Sequence, residues 1–531
     1  MSPIELSILV SRVESVCGEM GAVLKRAAFS PNIKDRLDFS CALFDANGGL
    51  YAQAAHIPVH LGSMAYAMAD IVSGPNWREG DVLVINDPFL GGTHLPDVTM
   101  VAPLFCDGVL LSFVANRAHH ANIGSDTPGS MPVSSSIEEE GVVIPPTFIY
   151  REGKAVDDLE PGLAALMEGA SSGDFSAQLS AVRVGLVRLE SLVQRFTNRG
   201  KAAETKAGPI DFMTAIEEIN RYGKRMSQAM VNKIPNGSYE FSDVMDDDGF
   251  GNVDVRINVK LHVSDDRVDV DFTGTSPQVK GNINCPISVA AAAVFYVFRC
   301  LLPAEVPSCA GTFKPIRILA RKGTLVNANR PAATAAGNVE TSMRIVDVVL
   351  GALAKALPDQ IPAACQGTMN NLAMGNHQST VPWDYYETIG GGLGASARRP
   401  GLSAVQAHMT NTLNTPIESV ESHYPLRVKT YAIRENSGGD GLHRGGDGLV
   451  RELEFLADAD VTLLTERRTH HPWGLFNGGQ GALGINTLDG KVLGGKAQIS
   501  VKPGQRLRIE TPGGGAVGAK KSLNPARMPV Q

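Results

Sequence analysis

The sequence has 531 residues, of which 43% are hydrophobic and 19% are charged, with a formal net charge of −7. These values are typical of a globular protein with several domains, and they exclude a disordered chain or a strongly basic nucleic-acid-binding protein. The longest apolar run, residues 288–298, is too short to span a bilayer.

The cysteines are scattered along the chain, their number is odd, and no two form a CxxC pair. This pattern favours reduced thiols in a cytoplasmic protein over a disulfide framework. The N-terminal residues lack the pattern of a signal peptide. The cysteines are Cys17, Cys41, Cys106, Cys285, Cys300, Cys309 and Cys365.

The first predicted elements are a helix, a hairpin and a second helix. Apolar residues at three- and four-residue spacings predict an amphipathic helix over residues 4–28. Two strands, 39–45 and 50–54, flank the sequence Ala-Asn-Gly-Gly, which is a strong hairpin signal. Residues 62–74 follow as another predicted helix.

The next region contains two apolar, β-branched runs, residues 82–85 and 110–115, and each leads into a polar cluster. Enzymes often place functional side chains where strands end in polar loops. Residues 125–160 are rich in proline and are expected to form a loop. The two clusters contain His94, Asp97, His119 and His120.

The remainder of the chain changes character several times. Helical spacing extends over residues 159–230, and alternating residues over 237–276 predict an antiparallel meander. Within it, residues 246–252 (DDDGFGN) are interpreted as a hairpin turn, because they lack the ligand spacing of a calcium loop. Further helices are expected at 286–302 and 338–357, followed by a glycine-rich, β-rich region.

The predicted fold is therefore a mixed α+β protein with several domains. Four parts are expected: an N-terminal domain with a mixed sheet, a helical segment, a region of antiparallel strands and helices, and a β-rich C-terminal domain. Their predicted bounds are 1–158, 159–235, 236–358 and 359–531.

The motif that points most clearly to chemistry is His94-x-x-Asp97, followed later by His119. Two ligands three residues apart can meet on one ion, and a third from a neighbouring strand would leave coordination positions open for water or substrate. The alternative is a set of polar side chains at strand ends, hydrogen-bonded to backbone carbonyl groups. Spacing alone leaves both interpretations open.

Other polar residues allow two interpretations each. Asp38 could be a further ligand or outer contact of the metal site. Alternatively, it could cap the start of the predicted strand and pair with Arg36. His56 and His60 flank an apolar segment and are interpreted as core histidines. His120 and Glu140 are candidates for a general acid or base, although His120 is expected to point away from its neighbour on an extended backbone.

The segment at residues 466–474 (ERRTHHPWG) combines charged residues, histidines and a tryptophan. Such a segment could line a cleft, but a subunit interface is the preferred interpretation. Its two histidines are not at metal-ligand spacing with any other residue identified in the sequence.

Several long motifs resemble the hydantoinase B/5-oxoprolinase family, which includes the acetone carboxylase alpha subunit. They are SPNIKDRLDFSCALFDANGGLYAQAAHIPVHLGSM, NDPFLGGTHLPDVTMVAP, NRAHHANIG, EEEGVVIPP, TPIESVES and ERRTHHPWGLFNGG. The resemblance extends along nearly the whole chain.

This resemblance implies a B-type subunit that works with a hydantoinase A-type partner. The partner would bind ATP and phosphorylate a carbonyl oxygen of the substrate, and the B-type subunit would receive the activated intermediate. The sequence contains no GxxxxGK[ST] pattern, which is consistent with nucleotide binding on another subunit. A hetero-oligomer that hydrolyses a hydantoin, N-methylhydantoin, 5-oxoproline or lactam is the preferred expectation.

The resemblance also implies that His94, Asp97 and His119 bind a divalent metal, with Asp38 as an additional ligand or neighbour. Zinc, manganese and iron all suit nitrogen and oxygen ligands. His120 or Glu140 would move the proton. Two alternatives remain: a subunit of an ATP-dependent ketone carboxylase, and a metal-stabilised scaffold without chemistry of its own.

Overall fold

The computed structural model describes residues 1–55, 57–169, 171–202 and 211–520, and His56 lies outside them. The N-terminal sheet consists of β1 (Phe39–Asp45), β2 (Leu50–Ala55), β3 (Val82–Ile85), β4 (Asp97–Cys106), β5 (Val109–His119), β6 (Thr147–Arg151) and β7 (Lys154–Ala155). These strands lie in the order β2-β1-β5-β4-β3-β6-β7, and the neighbours are antiparallel.

The predicted hairpin is confirmed, because β1 and β2 pair directly across their short turn. Gly48 in this turn has a φ of 79°, a conformation that glycine adopts without steric cost. The Cβ of any other residue there would lie 2.6 Å from the Cα of Ala69, so the turn also packs closely on the next helix.

Two predictions about this sheet were wrong in their details. Asp97 does not lie in a long loop but begins β4, and β5 continues as far as His119. In addition, residues 125–160 are not all loop, because β6 pairs with β3 and β7 forms the edge of the sheet. Pro145 and Pro146, directly before β6, favoured the loop interpretation over this short run of apolar and aromatic residues.

Helices cover the sheets and form much of the remaining structure. In α1, buried residues such as Leu9, Val13, Met20 and Leu24 form the apolar face that the sequence predicts. This face belongs to a core that also includes residues of β1 and α5. The helices are α1 (Pro3–Ala27), α2 (Pro31–Lys34), α3 (Pro58–Ser73), α4 (Pro161–Glu168), α5 (Ser172–Ala202), α6 (Phe212–Val231), α7 (Ile287–Cys300), α8 (Ala310–Phe313), α9 (Ser342–Leu353) and α10 (Ile417–His423).

The predicted meander is confirmed as the second sheet, which has the order β11-β10-β9-β8. Its residues 246–252 connect two long antiparallel strands, as a hairpin turn should. The strands are β8 (Gly237–Asp247), β9 (Val253–Ser264), β10 (Arg267–Asp271) and β11 (Ile316–Leu319). Only β10 and β11 are parallel in this sheet.

The C-terminal region is rich in strands, as predicted, and contains two further sheets with the orders β13-β12-β16-β19 and β14-β15-β20-β17-β18. The strands are β12 (Asn371–Asn376), β13 (Trp383–Glu387), β14 (Leu426–Arg434), β15 (Gly448–Phe455), β16 (Ala459–Leu464), β17 (Ile485–Leu488), β18 (Lys491–Leu493), β19 (Lys496–Val501) and β20 (Arg506–Glu510).

Glycine segments of this region lie directly against one another. A Cβ on Gly392 would lie 2.0 Å from the carbonyl oxygen of Gly446, and one on Gly514 would lie 2.0 Å from that of Leu393. No side chain fits at these distances, so the glycines permit close packing of backbones rather than flexible turns.

The segment at residues 466–474 is partly internal, with Thr469 and His471 exposed, and the interface interpretation remains a prediction. Glu466 and Arg467 are fully buried. Arg467 pairs with Asp243 and Asp347, and Glu466 pairs with Arg344. The charged residues are therefore compensated inside the chain, because buried charges require partners.

The mixed α+β class predicted from the sequence is confirmed by these antiparallel sheets and helices. All seven cysteines are free, in agreement with the expectation of reduced thiols. Within the described ranges, no helix combines the length and apolar character needed to cross a membrane. The four-part domain division remains a prediction.

Candidate metal centre

A short turn between β3 and β4 positions the first two candidate ligands. Gly91, with a φ of 110°, ends a turn of 3₁₀ helix, and the backbone nitrogen of Asp97 donates to the carbonyl oxygen of His94 at 3.1 Å. A Cβ on Gly92 would lie 2.2 Å from the carbonyl oxygen of Asn86. Both glycines therefore allow the loop to fold back on itself, and this brings His94 and Asp97 to the same side.

The pairing of β4 with β5 positions the third candidate ligand. Asp97 at the start of β4 is paired with His119 at the end of β5. Cross-strand neighbours have side chains close together on one face of a sheet. Antiparallel pairing therefore brings together two residues that lie 22 positions apart along the chain.

The three side chains direct one donor atom each at a common point. The distance from Nε2 of His94 to Nδ1 of His119 is 3.3 Å. Oδ1 of Asp97 lies 3.3 Å from that Nε2 and 3.2 Å from that Nδ1. The donor atoms therefore form a nearly equilateral triangle.

This triangle has the dimensions of a metal site. With metal–ligand bonds of roughly 2.0–2.1 Å, tetrahedral geometry places the donor atoms roughly 3.3 Å apart. The three residues also form a group whose donor atoms all lie within 4.8 Å of one another. Three protein ligands would leave at least one position for water or substrate, which is the arrangement of catalytic rather than structural metal sites.

The second carboxylate oxygen of Asp97 is held by three other side chains. Oδ2 accepts a hydrogen bond from Oγ1 of Thr93 at 2.5 Å and lies 3.2 Å from Nε2 of His60. Nδ2 of Asn338 donates to the same oxygen at 3.4 Å. Such contacts fix the orientation of a ligating carboxylate, and here they leave Oδ1 directed at the two histidines.

The carboxylate of Asp97 governs the protonation of the group. Burial alone would raise the pKa of Asp97, but His94 and then His60 hold that pKa well below its usual range. Burial lowers the pKa of His119 despite its hydrogen bond to Asp97. Burial would also lower the pKa of His94, but the carboxylate of Asp97 outweighs it and the pKa is raised. Asp97 and His119 therefore favour the forms that bind metals, and a metal ion at His94 would take the place of a proton.

Packing, and not a hydrogen bond at Nε2, fixes the orientation of the His119 ring. Nδ1 of His94 and Nε2 of His119 are buried and lack hydrogen-bond partners among the described residues. The His119 ring stacks on Tyr386, with centroids 4.8 Å apart and an angle of 10° between the planes. Stacking therefore fixes the orientation of the imidazole where hydrogen bonding does not.

A small cavity adjoins the donor atoms. It has a volume of about 20 Å³ and is lined by Asp38, His60, Met369, Met409 and Thr410, among others. A volume of this size holds roughly one water molecule. Asp38 lies in this wall, 3.8 Å from the guanidinium of Arg36, and its carboxylate is not part of the described group of close donors.

The two residues considered as proton carriers are placed elsewhere. Nε2 of His120 lies 2.8 Å from Oε1 of Gln178, and the ring packs edge-on against Phe175. Glu140 is buried, and its carboxylate accepts hydrogen bonds from the backbone nitrogens of Thr334 and Ala335. Burial raises the pKa of Glu140 to about 7. Neither residue lines the small cavity, and their catalytic roles remain predictions.

Sequence reasoning missed four residues of the site, namely Thr93, His60, Asn338 and Tyr386. His60 was interpreted as a core histidine, but it lies in the first turn of α3 and contacts Asp97. Asn338 and Tyr386 come from segments more than 200 residues further along the chain. No local sequence pattern marks either residue, because asparagines and tyrosines are common at the edges of protein cores.

Residues 2–520 match the hydantoinase B/oxoprolinase family, so the chain belongs to this family. It is 40% identical to 5-oxoprolinase 1 of Arabidopsis thaliana over 97% of this chain, which corresponds to 42% of that protein. It is also 30% identical to the putative B-type subunit of a D-/L-hydantoinase from a Pseudomonas species, over 99% of this chain and 92% of that protein. The chain therefore spans less than half of the Arabidopsis relative.

The fold is similar to that of a solved structure, the ATP-dependent caprolactamase from Pseudomonas jessenii. The TM-score is 0.85 at 25% sequence identity, over 98% of this chain and 91% of that chain. The family predicted from the sequence motifs is therefore confirmed.

Proposed function

We propose that this chain is the B-type subunit of an ATP-dependent cyclic-amide hydrolase, which opens the ring of a hydantoin, 5-oxoproline or lactam. Membership of the hydantoinase B/oxoprolinase family supports the class of reaction, since its relatives include proteins named as 5-oxoprolinases and as part of a hydantoinase. The observation that carries the proposal is the triangle of donor atoms from His94, Asp97 and His119.

In this proposal those three residues hold a divalent metal ion, for which zinc, manganese and iron are all suitable. When bound, such an ion polarises a carbonyl group and lowers the pKa of water to about 7. The chain itself supplies the orientation. Thr93, His60 and Asn338 fix the carboxylate of Asp97, and Tyr386 fixes the ring of His119.

The narrow cavity supports hydrolysis because it isolates one small molecule beside the donor atoms. Its walls include the apolar side chains of Ile57, Val59 and Met409, which exclude bulk water from the site. A cyclic amide is larger than about 20 Å³, so its carbonyl group enters only when a wall moves. Met409 lies on a segment without regular secondary structure, and we expect this part of the wall to move when substrate enters.

The partner in this proposal is a hydantoinase A-type protein that binds ATP. Amides resist attack, and phosphorylation of the amide oxygen creates a good leaving group before the intermediate reaches this chain. The sequence has no GxxxxGK[ST] motif that would cradle a phosphate. The similarity to a hydantoinase component and to an ATP-dependent caprolactamase also supports a system in which ATP is bound by the partner and the ring is opened by this chain.

The test is to co-express the chain with an A-type protein encoded beside it and to measure phosphate release and ring-opened product together. Hydantoin, N-methylhydantoin, 5-oxoproline and lactams form one arm, and ketones with bicarbonate form the other. We expect product only in the first arm. Carboxylated product in the second arm would replace the proposal with a ketone carboxylase. If Asp97→Asn leaves product formation unchanged, the chain would be a scaffold without chemistry of its own.

A further inference from the structure

A second group of potential metal ligands lies away from the site described above. It consists of Asp347 on α9, Cys365 in the segment that follows this helix, and His408 in the loop before α10. Oδ1 of Asp347 lies 3.8 Å from Nε2 of His408 and 3.9 Å from Sγ of Cys365. All three donor atoms lie within 4.8 Å of one another.

We propose that Asp347, Cys365 and His408 form a second divalent metal site with one thiolate ligand, best suited to zinc. In a tetrahedral zinc site with bonds of roughly 2.0 Å to N and O and 2.3 Å to S, neighbouring ligand atoms lie roughly 3.3–3.6 Å apart. The two separations from Oδ1 of Asp347, 3.8 and 3.9 Å, exceed these values. Binding would therefore draw the three side chains closer together.

An unpaired nitrogen points to the ligand. Nε2 of His408 is buried and has no hydrogen-bond partner among the described residues, and only 10% of the side chain is exposed. An unsatisfied buried polar atom destabilises the fold, so proteins rarely keep one without a reason. A cation shared with Asp347 and Cys365 would satisfy this nitrogen.

Each of the three side chains also has a further contact within the chain. Nδ1 of His408 lies 3.4 Å from the hydroxyl group of Tyr296, and Oδ2 of Asp347 accepts from Nη2 of Arg467 at 2.9 Å. Sγ of Cys365 accepts a hydrogen bond from the backbone nitrogen of Gly367 at 3.2 Å. Outer contacts of this kind orient metal ligands and stabilise a thiolate.

The nearby positive charge does not neutralise the site. Arg467 pairs with Asp243 at 2.7 Å as well as with Asp347, so its charge is shared between two carboxylates. Binding of the cation would break the S–H bond of Cys365 and form a bond from Sγ to the metal, and one proton would leave for solvent. The thiolate charge then compensates part of the charge of the ion.

Cys365 and Asp347 are both 0% exposed, so the chain encloses this second site. Its three protein ligands would leave one tetrahedral position for a water molecule. The second site would join α9 to the loop of His408, and the next residue in that loop, Met409, lines the cavity beside His94 and His119.

Cobalt(II) is the probe that distinguishes the two sites. A thiolate ligand gives an intense charge-transfer absorption with Co²⁺ in the near ultraviolet, whereas His94, Asp97 and His119 provide only nitrogen and oxygen. The full chain would be stripped of metal, titrated with Co²⁺ and followed by absorption. We expect one thiolate band and up to two equivalents of bound metal.

Matched variants locate the band. Cys365→Ser should abolish it, whereas Cys285→Ser, which alters another fully buried cysteine, and Asp97→Asn should retain it. Absence of the band from the unaltered protein would overturn the proposal without any variant having to fold. A band that survives in Cys365→Ser would also overturn it. Neither outcome depends on the enzymatic activity proposed above.

Discussion

Nε2 of His60 lies 3.2 Å from Oδ2 of Asp97, the carboxylate oxygen that is not directed at His94 and His119. This contact makes His60 a positioning residue for the metal ligand. We predict that His60→Ala lowers metal affinity roughly 10–100-fold, the usual effect of removing an outer contact of a ligand. Competition with a chelator would measure the change.

The conservative variant His60→Gln provides the control for this prediction, because its amide can still donate to Asp97. It should restore part of the lost affinity. His423→Ala, at an exposed histidine of α10, should bind metal like the unaltered protein. Equal affinities in His60→Ala and His423→Ala would rule out the positioning role.

Met409 limits the space beside the donor atoms. The side chain is fully buried and lines the cavity of about 20 Å³. We predict that Met409→Ala shifts the substrate preference toward larger rings, because the shorter side chain enlarges the cavity. The ratio of kcat/KM for a large and a small lactam would measure this shift.

The matched control is Met374→Ala, which shortens another fully buried methionine in a different core. Both variants should lose about 2–5 kcal/mol of stability, as large-to-small core substitutions do. Only Met409→Ala should alter the ratio of kcat/KM values. The same change of this ratio in Met374→Ala would show that loss of core packing in general, and not the size of the cavity, causes the effect.

Hydrophobic periodicity predicted most of the elements correctly because the chain buries its apolar faces in a regular way. The spacing in α1 and the turn at Gly48 are examples in which local sequence determines local structure. The start of β4 at Asp97 was missed, since backbone pairing to β5 rather than side-chain pattern creates it.

The site could be predicted where its residues share one turn or end a neighbouring strand, as His94, Asp97 and His119 do. His94 and Asp97 share one turn, so their spacing carries a signal. His60 contacts Asp97 across 37 residues, and Asn338 does so across 241. Such contacts depend on how helices and sheets pack together, and no local pattern encodes that packing.

Glu340 is predicted to make stability depend on pH. It is fully buried, and burial together with the charge of Glu466 raises its pKa to about 8. The folded state therefore holds a proton that the unfolded chain releases near pH 4.5, so rising pH destabilises the fold between these values. Glu340→Gln removes this dependence on pH. As the pH rises, the free energy of unfolding of this variant should increase relative to that of the unaltered protein by about 1 kcal/mol per pH unit.

Denaturant unfolding between about pH 5.5 and 8 would measure this trend. The glutamine can still accept from the backbone nitrogen of Met369, as Oε1 of Glu340 does at 3.0 Å. Glu139→Gln, at an exposed glutamate, is the control for the substitution itself. A stability difference between Glu340→Gln and the unaltered protein that stays constant with pH would contradict the raised pKa.

The most direct test of the metal centre is to measure bound metal and ring-opened product together in Asp97→Asn, assayed with the A-type partner. Asp126→Asn, at an exposed aspartate, is the matched control. We predict that Asp97→Asn loses metal from the first site and loses product, while Asp126→Asn keeps both. Metal content and product yield equal to those of Asp126→Asn would contradict the account.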